Sequence, residues 1–434
     1  MHYRRPTNSA VMGTRQKVVL MVAFHYPPDH SSSGYLRTLK FSKYLPDSGW
    51  QPVVLTVREE HYESRDAASL SQIPSQVIVR RTRAINTKKS LAIGDKYLQL
   101  LATPDRYIGW LFFAVPAGLS LIRSHGVQAI YSTSPLASAH LTACVLKSLS
   151  GLPWIADFRD PWTEPEIAPN PRSPLFRLDS RLERAVLRKA DRLVFTTARL
   201  RDYVLAHARG NLSSKAAVIP NGFDEEDFCD LPDRQPEKSP VRITHTGLVD
   251  EAYRSPRPFL EALAMLLKDG EISHSQVRVE FVGGGNYVQS AGFRSMLHDL
   301  DLVDIVSVLG RVSYVECLEH QQRSHILLLL QSGDDTRTLI PAKAFEYLRI
   351  GRPILAILPE SASSELFQEV GGARVVHKQD RAGMIVALRE MIKDAQEGGW
   401  MSSVSSAALL AYTRRRLTAK LAEELDFVTT GSTL

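Results

Sequence analysis

The chain has 434 residues, of which 44% are hydrophobic and 23% charged, as in a globular protein of about two ordinary domains. Its net charge of +6 is compatible with an anionic substrate or an anionic membrane surface and requires neither. The cysteines, Cys144, Cys229 and Cys317, stand far apart, so neither a disulfide framework nor a cysteine metal site is expected. No nucleic-acid-binding module is present, and no nucleic-acid partner is expected.

The first residues, 1–16, are polar and basic and are expected to form a disordered tail. No apolar signal core precedes Val18, so a reducing cytoplasm is the expected compartment. The apolar stretch from Ile108 to Ile122 contains Pro116 and is short for a membrane span. We expect a buried core helix there, with interfacial association as the alternative.

Basic residues are dense in two places, which are either solvated faces or contacts with an anionic membrane. They are Arg4, Arg5, Arg15 and Lys17, and then Arg80, Arg81, Arg83, Lys88 and Lys89.

The first strand, helix and strand predict a βαβ unit. Val18 to Phe24 predicts a buried strand, Tyr35 to Tyr44 a helix and Pro52 to Val57 a second strand. The loop from His25 to Gly34 holds two prolines, three serines and a glycine, and it is longer than most such connections. Ligands bind at the carboxyl ends of parallel strands, so this loop either lines a cleft or is a plain connection.

Strands and helices continue to alternate after this unit. In the first half, strands are predicted at 77–79, 129–132, 154–158, 192–196 and 217–219, and helices at 107–123, 135–148, 180–190 and 198–208. In the second half, strands are predicted at 241–246, 277–282, 305–308 and 325–330, and helices at 256–268, 287–299 and 314–322. This alternation predicts an α/β protein with two doubly wound parallel sheets.

Composition suggests where the domains begin and end. The acidic, proline-rich residues 226–240 are expected to link an N-terminal domain, 17–225, to a C-terminal domain, 241–410. Residues 411–434 are expected to form a helix that returns to the N-terminal domain.

The segment from Leu339 to Ile357 predicts a loop, a helix and a strand. Pro341 suits the first turn of a helix, Gly351 ends it, and the apolar run that follows is typical of a strand buried on both faces. The helix N-terminus would face the polar loop 331–338, where backbone N–H groups favour a phosphate. Glu346, one turn inside, is either an acceptor for sugar hydroxyls or an ordinary solvated carboxylate.

Charged residues also follow the strand predicted at 154–158. Asp157, Arg159 and Asp160 come at its carboxyl end, where a rigid strand holds side chains toward the cleft. Alternatively, Asp157 caps a helix or fixes a loop, with Arg159 as its ion-pair partner. His25, in the cleft loop, is a further candidate.

Two other motifs carry less weight. Gly283-Gly284-Gly285 lacks a complete dinucleotide-binding fingerprint and fits a turn at a strand end. Asp299 and Asp301 have the spacing of a metal-binding pair, but no second acidic cluster accompanies them, so a solvated face is expected.

Several segments, taken in order, resemble the GT-B glycosyltransferases, most closely the family-4-like enzymes that use nucleotide sugars. The resemblance runs from about residue 17 to residue 425. Its carriers are Tyr26-Pro27-Pro28 with the serine–glycine loop, Trp154 to Trp162, Ile219 to Asp224, Thr246-Gly247, Phe281 to Gly285 and the segment from Leu339 to Ile357. The resemblance implies two Rossmann-like domains with a cleft between them.

The resemblance also implies a donor site. The loop ending at Gly34 would approach the donor phosphate and the transferred sugar, and Glu346 would bind the nucleotide ribose. Arg254 would lie on the diphosphate, and the other donor-binding residues implied are Gly247, Gly284, Ile340 and Lys343. The sequence departs from the family at two positions: Thr338 replaces the first of two paired glutamates, and Leu248 replaces an arginine, for which Arg257 or Lys343 would substitute.

On the acceptor side, the catalytic candidates are Asp160, Asp157 and His25, and the acceptor-binding candidates are Arg159 and Trp162. The implied reaction moves a sugar from a nucleotide-diphosphate sugar to an acceptor hydroxyl, with retention of configuration, in cell-surface polysaccharide or glycolipid synthesis. The implied acceptor is a carbohydrate or a lipid-linked sugar at the cytoplasmic membrane face. No metal or cofactor is expected to be required. The alternative is a non-catalytic GT-B scaffold in a polysaccharide assembly pathway, since Thr338 and Leu248 depart from the pattern.

Overall fold

A computed structural model of the protein describes residues 16–31, 34–90, 99–166, 168–208, 210–232, 234–333, 336–399 and 401–431. Residues 1–15 of the predicted basic tail lie outside these ranges. Two serines of the cleft loop, Ser32 and Ser33, lie outside them as well.

The first half of the chain forms a seven-stranded parallel sheet covered by helices. Its strands are β1 Lys17–Val22, β2 Trp50–Val57, β3 Ile78–Thr82, β4 Ala129–Thr133, β5 Trp154–Phe158, β6 Arg192–Phe195 and β7 Ala216–Val218. Its helices are α1 Tyr35–Tyr44, α2 Thr87–Ser90, α3 Leu111–His125, α4 Ala137–Ser150, α5 Pro174–Lys189 and α6 Ala198–His207. The strand order is β3-β2-β1-β4-β5-β6-β7.

The second half forms a six-stranded parallel sheet. Its strands are β8 Val241–Leu248, β9 Val277–Gly284, β10 Val306–Leu309, β11 Ile326–Leu330, β12 Ile354–Ile357 and β13 Ala373–Val376, in the order β10-β9-β8-β11-β12-β13. The helices are α7 Glu226–Cys229, α8 Arg257–Lys268, α9 Ala291–Asp299, α10 Tyr314–Gln322, α11 Ala342–Ile350, α12 Ala362–Val370, α13 Arg381–Gln396, α14 Ser406–Leu410 and α15 Arg414–Thr430. The predicted architecture of two parallel α/β sheets is confirmed.

The central strands explain why the pattern could be read from the sequence. All five residues of β5 and of β11 are buried, because helices cover both faces of a parallel sheet. The helix α11 ends at Gly351, whose φ of +76° is the left-handed conformation that glycine adopts without strain.

The two connections between the domains run side by side. The Phe223 N–H donates to the Tyr412 carbonyl at 3.2 Å, and the Arg414 N–H donates to the Phe223 carbonyl at 2.8 Å. A β-carbon on Gly222 would lie 1.9 Å from the Tyr412 carbonyl oxygen, so only glycine allows this approach. Beyond the crossing, α15 packs against α1 of the first domain, with Leu417 and Leu421 in the same buried cluster as Leu39.

Two helices differ from their predictions. The helix predicted at 180–190 begins at Pro174, because Ser173 caps it by accepting the Phe176 N–H at 3.1 Å. The apolar stretch after Ile108 forms a 3-10 turn and then α3, which buries one face only and leaves Phe112 76% exposed. No helix in the described ranges is both long enough and apolar enough to cross a bilayer.

Candidate active site between the two domains

The two domains meet at the carboxyl ends of their strands. From the first domain, the Thr197 hydroxyl at the start of α6 donates to the Thr338 carbonyl. Arg199, in the next turn, pairs with Glu360 and Glu365 of the second domain at 2.7 Å each. These contacts close one side of a cleft into which the loops after β1, β5 and β8 open.

The tyrosine that begins α1 lies close to Glu346 of α11. Burial, and then the negative charges of Asp66, Asp227, Asp29 and Glu346, raise the pKa of Tyr35 to about 12. The N-cap before Tyr35 is Gly34, so the last residue of the predicted phosphate loop lies near the predicted ribose glutamate of the other domain.

On the donor side, Lys343 lies directly over Gly247. A β-carbon at Gly247, whose φ is +103°, would lie 2.6 Å from the Lys343 Nζ. The Lys343 Nζ is also 3.4 Å from the Nε2 of His245, which burial keeps neutral by lowering its pKa well below the usual value. The His245 Nδ1 lies 2.8 Å from the Leu328 carbonyl and therefore carries the proton. The Nε2 lone pair is thus available to the Lys343 ammonium.

A second cation, Arg254, lies near enough to Lys343 for its charge to act on that ammonium. Burial, and then the charge of Arg254, lower the pKa of Lys343 to about 8. Arg254 is fixed by Asp250, with Nη1 to Oδ2 at 2.8 Å. No carboxylate of a described residue lies within ion-pair distance of Lys343. Two adjacent cations at a strand end would form a seat for a diphosphate. Lys343 and Arg257 were the two predicted substitutes for the absent arginine. Lys343 lies at this strand end, whereas Arg257 faces Glu261 at 3.8 Å.

Glu346 lies further along α11 than Lys343, and its role as a ribose ligand stays a prediction. The Tyr314 hydroxyl donates to its Oε1 at 3.3 Å. Burial raises the pKa of Glu346, while hydrogen bonds from Gln321 and Tyr314 oppose the shift. The Thr338 hydroxyl, at the position of the absent first glutamate, is buried and finds no partner among the described residues.

The remaining donor-side predictions concern backbone positions. A β-carbon on Gly284 would lie 2.6 Å from the side chain of Val288, so this buried glycine allows close packing behind the strand end. Ile340 is half-buried and stands just before Pro341, the N-cap of α11. Their contact with a donor stays a prediction.

Asp157 occupies a structural position rather than the cleft surface. It is fully buried, and its carboxylate accepts from Arg37 Nε at 2.8 Å and Arg37 Nη2 at 2.7 Å. It also accepts from the hydroxyls of Tyr131 at 2.6 Å and Thr133 at 2.8 Å. Burial alone would raise the pKa of Asp157, but the Arg37 charge holds it below the usual value. The loop-fixing alternative describes this residue, and the predicted partner Arg159 was wrong: the partner is Arg37.

Arg159 instead ties the β5 end to the phosphate loop. Its Nη1 donates to the Gly34 carbonyl at 2.9 Å and to the Ser134 carbonyl at 3.1 Å. Next to it, Asp160 is partly exposed and makes no hydrogen bond to any described residue. Burial raises the pKa of Asp160, although the charge of Arg159 opposes this. Asp160 is therefore the unengaged carboxylate of the cleft.

Trp162 is anchored to α5. Its indole N–H donates to Asp179 Oδ1 at 2.6 Å, and its ring stacks on His140 with 6.4 Å between centroids. Because the N–H is already used, only the ring surface of this half-buried residue is available to an acceptor. The acceptor-binding role of Trp162 stays a prediction.

His25 is oriented by a buried carboxylate. Its Nδ1 pairs with Asp29, which is fully buried and also accepts the Ser31 N–H at 2.9 Å. Despite its burial, the pKa of Asp29 is lowered by His25. This pairing leaves the Nε2 of His25, whose side chain is 18% exposed, without a partner among the described residues.

Four residues of the site were missed in the sequence: Asp29, Arg37, Tyr314 and Arg414. Asp29 stands four residues after His25, a spacing that could have been noticed. Arg414 contacts Asn221, 193 residues earlier, and no local pattern predicts a contact of that range.

Comparisons with known proteins bear on the family and the fold. Residues 36–222 match the family model of the glycosyl transferase 4-like domain. A search of curated protein sequences gives no match.

Several solved structures have the same fold. Sucrose-phosphate synthase from Thermosynechococcus elongatus is 12% identical, with a TM-score of 0.64 over 96% of this chain and 100% of that one. A glycosyltransferase from Rickettsia africae is 13% identical, with a TM-score of 0.65 over 96% and 100%. HepE from Anabaena, in complex with UDP and glucose, is 14% identical, with a TM-score of 0.64 over 95% and 100%. The predicted resemblance to family-4-like GT-B glycosyltransferases is thus confirmed, by the fold across the chain and by the family model over residues 36–222.

Proposed function

We propose that this protein transfers a sugar from a nucleotide-diphosphate sugar to an acceptor hydroxyl. The observation that carries the proposal is the position of Lys343 over Gly247, with the charge of Arg254 close enough to lower the pKa of Lys343 and with Glu346 one turn inside the adjoining helix. A diphosphate on the two cations would place the nucleotide ribose toward Glu346 and the sugar toward Gly34. The HepE structures were solved with UDP and UDP-glucose, which makes uridine sugars the first donors to test.

In the proposed reaction, the acceptor oxygen forms a bond to the anomeric carbon. The bond from that carbon to the diphosphate breaks, and the diphosphate leaves with the electron pair. Lys343 and Arg254 stabilise the charge that develops on it. The acceptor loses its proton to a base, for which Asp160 and the Nε2 of His25 are the candidates. A raised pKa makes Asp160 a stronger base than an ordinary carboxylate.

The stereochemistry and the acceptor class are part of the proposal. The family resemblance supports retention of configuration and an acceptor that is a carbohydrate or a lipid-linked sugar of a cell-surface polysaccharide or glycolipid. An NMR assignment of the anomeric proton in the product tests retention. Inversion would contradict this part without affecting the transfer itself.

Peripheral contact with an anionic membrane is supported by the outer face of α5. Its four arginines have no carboxylate partner among the described residues: Arg177, Arg181, Arg184 and Arg188. The two acids of the same helix turn inward, Asp179 to Trp162 and Glu183 to Thr163, so the outer face carries cations only. The exposed ring of Phe112 belongs to the same layer of helices. Such a face attracts anionic headgroups.

The function is tested by thermal shift and turnover across a panel of nucleotide sugars. A ligand at a hundred times its dissociation constant should add about 2.7 kcal/mol to the stability. Binding followed by release of the nucleoside diphosphate supports the enzyme. Binding without any turnover would support the scaffold alternative, which the substitution of a glutamate by Thr338 favours. Failure to bind any member of the panel would contradict both.

A further inference from the structure

Two arginines at the base of the cleft, Arg159 and Arg414, have no carboxylate partner among the described residues. The neighbouring Arg37 has one. Arg37 is 1% exposed and is neutralised by Asp157. Arg414, the first residue of α15, is 3% exposed, yet its guanidinium has one hydrogen bond in the described structure, from Nη1 to Asn221 Oδ1 at 3.5 Å. That distance is at the limit for a hydrogen bond.

Arg159 is incompletely satisfied as well. Its Nη1 donates to two backbone carbonyls, which carry no net charge. Its Nε is buried and has no acceptor among the residues described. Neither Arg159 nor Arg414 has a described carboxylate within 4 Å, so both guanidinium groups keep donors for a ligand.

A chain of hydrogen bonds through α1 and residues 220–221 connects Arg159 to Arg414. Arg159 binds the carbonyl of Gly34 at the start of α1, and Arg37, one turn later, binds the Pro220 carbonyl at 2.9 Å. Asn221, the next residue, holds Arg414. Burial, and then the charges of Arg37 and Arg159, lower the pKa of Arg414 to about 10, so it remains charged at neutral pH.

Of the carboxylates around this pair, Asp157 and Asp227 are engaged elsewhere, while Asp160 forms no ion pair with either arginine. Asp157 is saturated by Arg37, and Asp227 is held by Lys40 Nζ at 2.6 Å. A buried guanidinium without a counter-charge is costly, and an anionic ligand would offset that cost. Tyr314, another neighbour of Arg414, bonds to Glu346, so the pair borders the candidate donor site.

We propose that Arg159 and Arg414 bind a phosphate group of a substrate, at a second anion site apart from Lys343 and Arg254. Two permanent charges match a phosphate monoester, which carries about −1.5 to −2 at neutral pH, and guanidinium groups bind phosphate oxygens in a bidentate way. This inference rests on the proposed function, because the phosphate would belong either to the acceptor or to the donor. Its test separates these two sources.

The experiment is calorimetric titration of the full chain with inorganic phosphate, before and after saturation with UDP. We expect saturable phosphate binding that persists with UDP bound. Arg414→Gln and Arg159→Gln should each weaken it at least about tenfold while changing the UDP affinity less than twofold. That outcome assigns the phosphate to the acceptor. If the same variants weaken UDP binding and phosphate competes with UDP, the site serves the donor.

Two controls keep the result interpretable. Arg415→Gln removes the next arginine of α15, which is 65% exposed and pairs with Asp47, and it should bind phosphate like the parent. Arg414→Lys keeps the charge and should retain part of the affinity even if Arg414→Gln folds poorly. Absence of phosphate binding, or parental binding by both glutamine variants, overturns the proposal. If UDP fails to bind but Arg414-dependent phosphate binding remains, the second site stands and the donor assignment does not.

Discussion

Arg37 and Asp157 form a bidentate ion pair that is closed to solvent, with Nε to Oδ2 at 2.8 Å and Nη2 to Oδ1 at 2.7 Å. The same guanidinium binds the carbonyls of Ile219 and Pro220 at the domain connection. The Arg37–Asp157 pair therefore joins α1, β5 and the connection between the domains. It also fixes the end of β5, where Arg159 and Asp160 follow at the cleft.

Asp157→Asn should destabilise the protein strongly, because it leaves the Arg37 charge buried without a partner. We expect a loss of about 3–5 kcal/mol of unfolding free energy by urea denaturation. Asp202→Asn is the control: it removes an exposed partner of Arg201 and should leave the urea midpoint of unfolding unchanged. The folded pKa of Asp157 is depressed, so its contribution is present above the unfolded value, about 3.9, and is lost as the pH falls through the folded pKa. Full stability with abolished transfer would instead indicate a direct role in catalysis.

Lys343→Met should weaken nucleotide binding about tenfold or more, since it removes one of two cations from the diphosphate seat. Arg254→Gln should act in the same direction. Arg257→Gln is the matched control: this arginine faces Glu261 instead of the seat, and its loss should change the dissociation constant less than twofold. Titration of UDP into each variant measures the effect. Equal affinities for all three variants would place the diphosphate elsewhere.

Nucleotide affinity should fall as the pH rises above about 8, the pKa to which burial and Arg254 lower Lys343. The seat needs the protonated ammonium, so the affinity should drop about tenfold per pH unit above the pKa of the free protein. The free energy of unfolding should change with pH in the opposite direction to the nucleotide affinity. The unfolded chain holds this proton up to about pH 10.4, so the contribution of Lys343 to stability rises between these values.

Lys343→Arg provides the control, because a guanidinium stays charged across this range. Its affinity should be nearly constant from pH 7 to pH 9.5 in titrations where the parent weakens. A parallel decline in both proteins would assign the titration to another group.

His25→Gln should lower the turnover number by about 10²–10⁴-fold without changing the nucleotide affinity, if the Nε2 takes the acceptor proton. Asp29→Asn should lower it as well, because it removes the group that orients the ring. His30→Gln, in the same loop, is the control and should retain turnover. If His25→Gln turns over like the parent, Asp160 becomes the sole candidate base, and Asp160→Asn should then show the loss.

The fold was predictable because parallel strands buried on both faces leave an unmistakable apolar pattern. The helix Tyr35–Tyr44 and the strand Trp154–Phe158 have the predicted bounds. The positions of Gly247 on β8 and of Lys343 and Glu346 on α11 were also predictable, since strand ends and helix starts are local features. Asp157 was misassigned because the sequence shows its place at a strand end but not that Arg37, 120 residues earlier, fills its carboxylate. Arg414 was missed because it reaches the cleft only after the chain crosses back to the first domain.

The most direct test of the central claim is release of nucleoside diphosphate from a panel of nucleotide sugars with candidate acceptors, for the parent and for Lys343→Met. We predict that at least one uridine sugar is consumed in an acceptor-dependent reaction and that Lys343→Met slows it about tenfold or more, while Arg257→Gln does not. A folded parent protein that consumes no sugar nucleotide with any acceptor, or a Lys343→Met variant as fast as the parent, would contradict the account.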